Sequence, residues 1–113
     1  MTENQKMDAL RFRNQMRTLV GSFPSLRGYL DIDQIGFDLD RFSEFADSVT
    51  GVHEQAIHAA AFVESVAVGE DREFDFIGAY KAWDAPHHAA FFRWCHSPFY
   101  PPVVTDDQPA ADD

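Results

Sequence analysis

The stretch DLDRFSEFADSVT, residues 38–50, predicts an amphipathic helix and sets the character of the whole fold. Asp38 has the short acceptor side chain that caps a helix N-terminus. Asp40, Glu44 and Asp47 fall on one side of the helix and form a row of three carboxylates. The opposite side is apolar at helical spacing, with Leu39, Phe42, Phe45, Ala46 and Val49.

Helical patterns continue on both sides of this stretch, and no segment shows the alternation with β-branched residues that is typical of strands. Asp84 is expected to cap the last helix, which has Pro86 in its first turn and ends at Ser97-Pro98. The remaining helices are expected over residues 4–20, 52–67 and 74–83, with a short helical turn over 25–30 and a loop over 31–38. We therefore predict an all-α fold, a small bundle of four to five short helices.

Apolar spacing also predicts which side chains face the core. In the helix over 52–67 they are small, which lets a neighbouring helix approach closely: Ala56, Ala59 and Ala60. In the helix over 74–83 they are large: Phe76, Ile77, Tyr80 and Trp83. Cys95, the single cysteine, is expected to be a buried small hydrophobe near the end of the last helix.

The chain has the size of one domain. A second independent core does not fit into 113 residues, of which 45% are apolar and 25% charged. After Thr105 the last eight residues are four Asp, two Ala, one Pro and one Gln. We predict one helical domain over residues 1–104 and a disordered acidic tail over 105–113.

Charge is divided unevenly along the chain. Residues 1–30 have five basic and two acidic side chains, a net charge of +3, whereas residues 31–113 have four basic and seventeen acidic, a net charge of −13. Binding to nucleic acid requires cations that displace the counterions of phosphates, so we predict no direct contact with nucleic acid. A basic protein surface is the expected partner, and the alternative is that acidity only supplies solubility.

The sequence predicts neither export nor membrane contact. No apolar run approaches the roughly 18 to 20 residues of a membrane span, and the N-terminal segment lacks the apolar centre of a signal peptide. A single cysteine cannot form a disulfide within the chain. We expect a cytoplasmic protein of a bacterial or host cell interior.

The five histidines do not show the spacing of a metal site on one helix. His53 and His58 are one residue too far apart for the HExxH zinc signature. His88 and Cys95 share a helix face but lie about 10 Å apart along its axis. We predict no metal and no cofactor. The alternative is a metal-binding protein whose ligands come from separate helices: His58, His87, His88 and His96.

No catalytic set is recognisable in the sequence. It contains neither a glycine loop for phosphate nor a G-x-S-x-G nucleophile motif. Cys95 lies near the C-terminal end of its helix, where the helix dipole disfavours a thiolate. We therefore predict that the chain is not an enzyme.

Two groups of side chains are the candidates for partner binding. The acidic group combines the carboxylates of the 38–50 helix with others near it: Asp31, Asp33, Asp40, Glu44, Asp47 and Glu54. Carboxylates several ångströms apart on rigid helices imitate a row of phosphates. Aromatic rings are dense in the segment before Pro101, and a small core cannot cover all of them. The rings expected at the surface form the aromatic group, Phe99 and Tyr100.

Part of the chain resembles a family of small uncharacterised helical proteins encoded on bacterial plasmids and integrative elements. The resemblance covers residues 42–94 and is carried by short motifs: Ala46-Asp47-Ser48-x-Thr50-Gly51, Ala60-x-Phe62, Phe74-Asp75-Phe76 and Asp84. Phe76, Val66 and Ala67 depart from the pattern, which has Leu and Trp there. The resemblance implies an accessory protein of a mobile element, and it brings no activity or site residue with it.

These observations predict a small, non-enzymatic interaction protein whose acidic surface binds a basic, nucleic-acid-binding surface of a partner protein, such as a nuclease complex. An anti-CRISPR, anti-restriction or immunity-type inhibitor from a phage or mobile element has this character. The alternative is a self-associating scaffold or accessory protein, in which the aromatic group and a basic line on the first helix, Lys6, Arg13 and Arg17, pair across a homodimer.

Overall fold

The computed structural model describes residues 2–34, 36–51 and 54–102. Those residues form six α-helices and no strand, which confirms the all-helical fold class. A single 3-10 turn, Pro24–Leu26, lies between the first two helices. The helices are α1 (Glu3–Ser22), α2 (Tyr29–Ile32), α3 (Leu39–Thr50), α4 (Glu54–Val68), α5 (Phe76–Ala82) and α6 (Ala85–His96).

The expected number of four to five helices is slightly too low. The extra element is α2, a four-residue helix in the region where only a helical turn and a loop were expected. The capping signals were read correctly: Asp38 accepts a hydrogen bond from the Arg41 N–H, and Asp84 accepts one from the His87 N–H. Local side-chain chemistry thus determines where α3 and α6 begin.

Helix α4 lies at the centre of the bundle and packs against α1, α3 and α5. Its inward side is small where other helices approach, because Ala56, Ala59 and Ala60 are buried. Phe62 contacts four rings from three other segments, with centroid distances of 5.0 to 6.0 Å. Its partners are Phe23, Phe74, Phe91 and Trp94.

The end of α4 requires a glycine. Gly69 adopts a φ of +79°, the left-handed conformation that side chains with a Cβ rarely take. Its N–H donates to the Ser65 carbonyl, and so does the N–H of Glu70. The chain can therefore leave the helix and turn towards α5.

Helix α5 faces the core with a different side from the expected one. Phe76, Ile77 and Tyr80 are 43, 62 and 48% exposed, so their predicted burial is wrong. The helix begins two residues later than expected, at the Asp75 cap, and this start turns Ala79 inward. Phe74, just outside the helix, supplies the ring that packs on Phe62.

Reciprocal hydrogen bonds fasten the end of α5 to the start of α4. Trp83 is buried, and its indole N–H donates to the Gln55 carbonyl at 3.1 Å. The Gln55 side chain donates in return to the Ala82 carbonyl at 3.1 Å. Together these bonds satisfy a buried indole donor and one of the free carbonyls at a helix end.

Two further sequence expectations concern the C-terminal part of the chain. Cys95 is exposed, so its predicted burial is wrong; the side of α6 that faces the core carries His87 and Ala90 instead. The predicted tail, residues 105–113, lies outside the described residues. None of the helices in the described ranges combines the length and the hydropathy that a bilayer crossing needs.

A buried tyrosine ties the loop before α3 to the bundle. The Tyr29 hydroxyl donates to Oδ2 of Asp33 at 2.8 Å and accepts from the Asp38 N–H at 2.9 Å. Oδ1 of Asp33 accepts from the Gly36 N–H at 3.2 Å, and the Arg17 guanidinium bonds the Asp33 carbonyl. Helix α1, α2 and the Asp38 cap thus meet at one polar cluster inside the protein.

We expect Tyr29→Phe to destabilise the fold by about 1–3 kcal/mol, because it leaves buried partners of the hydroxyl unpaired. Urea unfolding at neutral pH measures the effect. Tyr100→Phe is the matched control, since Tyr100 is 64% exposed. Equal midpoints for the two variants would contradict the role given to the cluster.

The same hydroxyl predicts a loss of stability in alkali. Burial raises the pKa of Tyr29 from 10.0 to about 12. The folded state therefore holds this proton more tightly than the unfolded state, so the stabilisation is complete below pH 10 and lost as pH rises towards 12. Urea midpoints measured from pH 8 upward should fall less steeply for Tyr29→Phe than for the natural chain.

Candidate acidic binding face

The predicted row of carboxylates is present on the outer side of α3. Asp40, Glu44 and Asp47 are all exposed, while Phe42 and Ala46 on the opposite side are buried. Their spacing of four and three residues places the carboxylates on one line along the helix. We call these three residues, with Asp31 and Glu54, the acidic face.

The other two carboxylates of the acidic face belong to the helices that precede and follow α3 in the chain. Asp31 is exposed on α2, and α2 lies against α3 through contact of the Tyr29 and Phe45 rings at 6.0 Å. Glu54 is exposed in the first turn of α4, four residues after the end of α3 at Thr50. The five carboxylates are thus exposed on three successive helices.

Asp33 does not belong to the acidic face, and its expected place there is wrong. Its side chain is only 8% exposed and accepts hydrogen bonds from Tyr29 and Gly36. A carboxylate in the sequence does not show whether it faces solvent or satisfies donors inside the protein. The loop before α3 needed an internal acceptor, and Asp33 supplies it.

Few described carboxylates are neutralised by neighbouring cations. Within residues 2–34, 36–51 and 54–102 two basic side chains lie within 4.0 Å of a carboxylate: Arg11 pairs with Asp8 at 3.6 Å, and His87 hydrogen-bonds Asp84 at 2.7 Å. Neither pair includes a residue of the acidic face. Arg41 and Glu44 line the same shallow hollow, yet no ion pair joins them. The acidic face thus presents its charge to solvent.

The two aromatic candidates have different surroundings. Phe99 is half-buried and packs edge-on against Phe12 at 6.1 Å and Trp94 at 6.4 Å. Tyr100 is 64% exposed, although its ring also touches Trp94 at 5.8 Å. Tyr100 therefore exposes most of its side chain to solvent, whereas Phe99 packs against the core.

A chain of hydrogen bonds that the sequence analysis missed links α6 to the 3-10 turn. Nδ1 of His87 lies 2.7 Å from Oδ1 of Asp84, and Nε2 lies 2.8 Å from Oγ of Ser25. An ionised carboxylate only accepts, so Nδ1 carries the proton, and Nε2 of the neutral ring accepts from the serine. The Asp-x-x-His spacing was visible in the sequence, but Ser25 is 62 residues away and carried no signal.

The order serine, histidine, aspartate is that of a hydrolase triad, but its setting here is structural. The His87 ring is 1% exposed and packs between Phe23 at 5.9 Å and Trp83 at 6.2 Å. The Ser25 N–H faces the same histidine nitrogen at 3.4 Å, so it does not point to a reacting oxyanion. The chain of bonds holds α6 against the turn that follows α1.

The remaining histidines and the cysteine are not arranged as a metal site in the described residues, where no three His, Cys, Asp or Glu side chains come together. His88 stacks on Tyr80 at 4.2 Å, and its Nε2 lies 2.8 Å from the Tyr80 carbonyl. His53 lies outside the described residues. Cys95 is exposed, but partial desolvation by its neighbours raises the pKa of its thiol, which disfavours the nucleophilic thiolate.

We expect Ser25→Ala to destabilise the protein by about 1–3 kcal/mol, because it removes the partner of a buried ring nitrogen. Ser48→Ala is the matched control: Ser48 is exposed and bonds only a carbonyl of its own helix. Its effect should stay within about 0.5 kcal/mol. Thermal unfolding of both variants measures the difference, and equal melting temperatures would count against the link.

Asp84 predicts part of the response to acid. The hydrogen bond from the His87 ring lowers the pKa of Asp84 below its ordinary value. The folded state thus favours the ionised carboxylate, so the stabilisation is present above about pH 4 and is lost as pH falls through the lower folded pKa. Asparagine also caps helices, so Asp84→Asn keeps the cap but removes the titrating group. Between about pH 2 and 5 the urea midpoint of this variant should fall less with falling pH than that of the natural chain.

The chain matches no protein-family model, no curated protein and no solved structure. The resemblance to small helical proteins of plasmids and integrative elements therefore stays a prediction.

Proposed function

We propose that this chain is a protein-interaction module whose acidic face binds a basic surface of a partner protein. One observation carries the proposal: Asp40, Glu44 and Asp47 form an exposed line on α3, and none of them has an ion-pair partner within the described residues. Exposed carboxylates held on a rigid helix attract cations without first breaking an internal pair.

The dimensions of the line favour a partner that also binds nucleic acid. A helix rises 1.5 Å per residue, so the carboxylates of Asp40, Glu44 and Asp47 follow one another at about 6 and 4.5 Å along the axis. Phosphates of one DNA strand follow one another at about 3.4 Å along its axis, which is a similar scale. A groove of lysines and arginines that holds a phosphate backbone would accept such a line of carboxylates.

Occupation of that groove would exclude the nucleic acid by direct competition. The net charge of −13 after residue 30 adds a long-range attraction that speeds association with a basic partner. The proposed role is thus an inhibitor, carried by a phage or mobile element, of a nuclease complex or another nucleic-acid-binding protein. This role needs no catalytic residue and no cofactor.

The proposal predicts a salt-sensitive complex that depends on the acidic face. Asp40→Asn, Glu44→Gln and Asp47→Asn together should weaken capture of the partner from a lysate of the source cells by about tenfold or more, because charge pairs dominate. The natural complex should dissociate between about 0.1 and 1 M salt. Quantitative mass spectrometry of the retained proteins measures both effects.

A matched variant keeps the same change in net charge at other exposed acids: Glu3→Gln, Asp8→Asn and Glu70→Gln. It should retain the partner. Equal loss in the two variants would show that total charge, not the acidic face, determines binding. Retention of the partner at about 1 M salt, or capture of no partner, would overturn the proposed function.

A further inference from the structure

A long apolar groove lies between α1 and α6, away from the acidic face. Its volume is about 520 Å³, and its lining side chains come from α1, α6 and the residues just after α6. Its large apolar side chains are Met7, Leu10, Leu19, Trp94 and Phe99, and polar residues line the rest. None of the residues of the acidic face lines it.

Two large side chains of this groove are exposed without any cover in the described structure. Met7 is 55% and Leu10 56% exposed, although both belong to a helix that buries Met16, Leu19 and Val20 further along. Trp94, at the wall of the groove, has a buried indole N–H that meets no acceptor in the described residues. Neighbouring exposed apolar side chains are typical of a surface that another molecule covers.

We infer that this groove binds an amphipathic helix that carries carboxylates beside its apolar face. Its walls from Met7 to Ser22 extend over about 22 Å of helix, so about sixteen residues of a partner helix can lie along them. A helix laid between two others buries a stripe of apolar residues at positions i, i+3, i+4 and i+7. The wall carries only one sign of charge, since Arg11 and Arg93 line it and no acid does.

The arginines determine the charge of the occupant. Arg93 has no ion pair within the described residues, and Arg11 is 3.6 Å from Asp8 in an exposed pair of the kind that contributes little. A carboxylate of the partner can therefore pair with either guanidinium without breaking an internal ion pair that contributes much to stability. The surface is chemically the reverse of the acidic face, so the protein has two docking faces that select partners of opposite charge.

The charge of the groove disfavours a second copy of this chain as its occupant. Two such grooves facing each other contribute four arginines and no acidic lining residue, which is unfavourable. The acidic helix α3 of another copy has its apolar stripe inside its own core, since Phe42 and Ala46 are buried. It therefore has carboxylates to offer but no apolar stripe to fill the groove.

Two designed helical peptides of about sixteen residues test the inference. Both peptides have the same row of leucines along one side of the helix. The residues on either side of this row are Glu in one peptide and Lys in the other. We expect the Glu peptide to bind at least about tenfold more tightly at physiological salt, where charges beyond about 8 Å are screened. Fluorescence anisotropy of a labelled peptide measures affinity, and a change in tryptophan emission reports contact with Trp94.

Variants of the protein locate the binding. Leu10→Ser should weaken binding of the Glu peptide by about tenfold, whereas Ile77→Ser, at an equally exposed aliphatic residue outside the groove, should not. The double variant Arg11→Glu with Arg93→Glu should reverse the preference and favour the Lys peptide. The amide variant of Asp40, Glu44 and Asp47 should bind the Glu peptide unchanged, which separates this site from the proposed function.

Several outcomes would overturn the inference. These are no binding of the Glu peptide at about 1 mM, equal affinity for both peptides, or the same loss in Leu10→Ser and Ile77→Ser. A dimer in sedimentation that Leu10→Ser dissociates would assign the groove to a second copy. Binding that appears only after removal of residues 103–113 would assign it to that segment of the chain.

Discussion

Burial of aromatic rings against α4 is the interaction on which the rest of this structure depends. Phe62 projects from α4 into a group of rings that come from the end of α1, the segment before α5, and α6. Each ring removes a large apolar area from water, and edge-on contacts add to that gain. The small residues Ala56, Ala59 and Ala60 allow the neighbouring helices to come close enough for these contacts.

Two surfaces of opposite charge surround this core. Helix α3 packs against α4 and turns its carboxylates to solvent, whereas the α1–α6 groove presents arginines beside apolar side chains. Polar groups that enter the interior have hydrogen-bond partners inside the protein. Asp33 is paired with Tyr29 and Gly36, and His87 bridges Asp84 and Ser25. Buried polar contacts thus hold the connecting segments in place, and the charges of α3 remain at the surface.

The parts of the fold that could be predicted from the sequence are those that local chemistry determines. Asp38 and Asp84 cap helices through bonds to residues three positions later, so their roles are visible in the sequence itself. Long-range contacts decided the rest. The inward side of α5 follows from its packing against α4, which buries Ala79, and the partner of the His87 ring is Ser25, which is far away in the chain. The line of three carboxylates on α3 was predictable because helical spacing alone produces it, whereas Asp33 was misplaced because a tertiary contact holds it.

The arrangement of the first helix has a consequence for how the protein is made. Met16, Leu19 and Val20 of α1 are buried, and α1 packs against α4 and α6, which follow many residues later in the chain, as well as against the nearby α2. The ribosome therefore releases α1 before two of the helices that pack against it exist, while α3, α4 and α5 meet through contacts that are close in sequence. During translation the apolar side of α1 lacks part of its cover until α6 has emerged, and the nascent chain is open to aggregation at this patch for that interval.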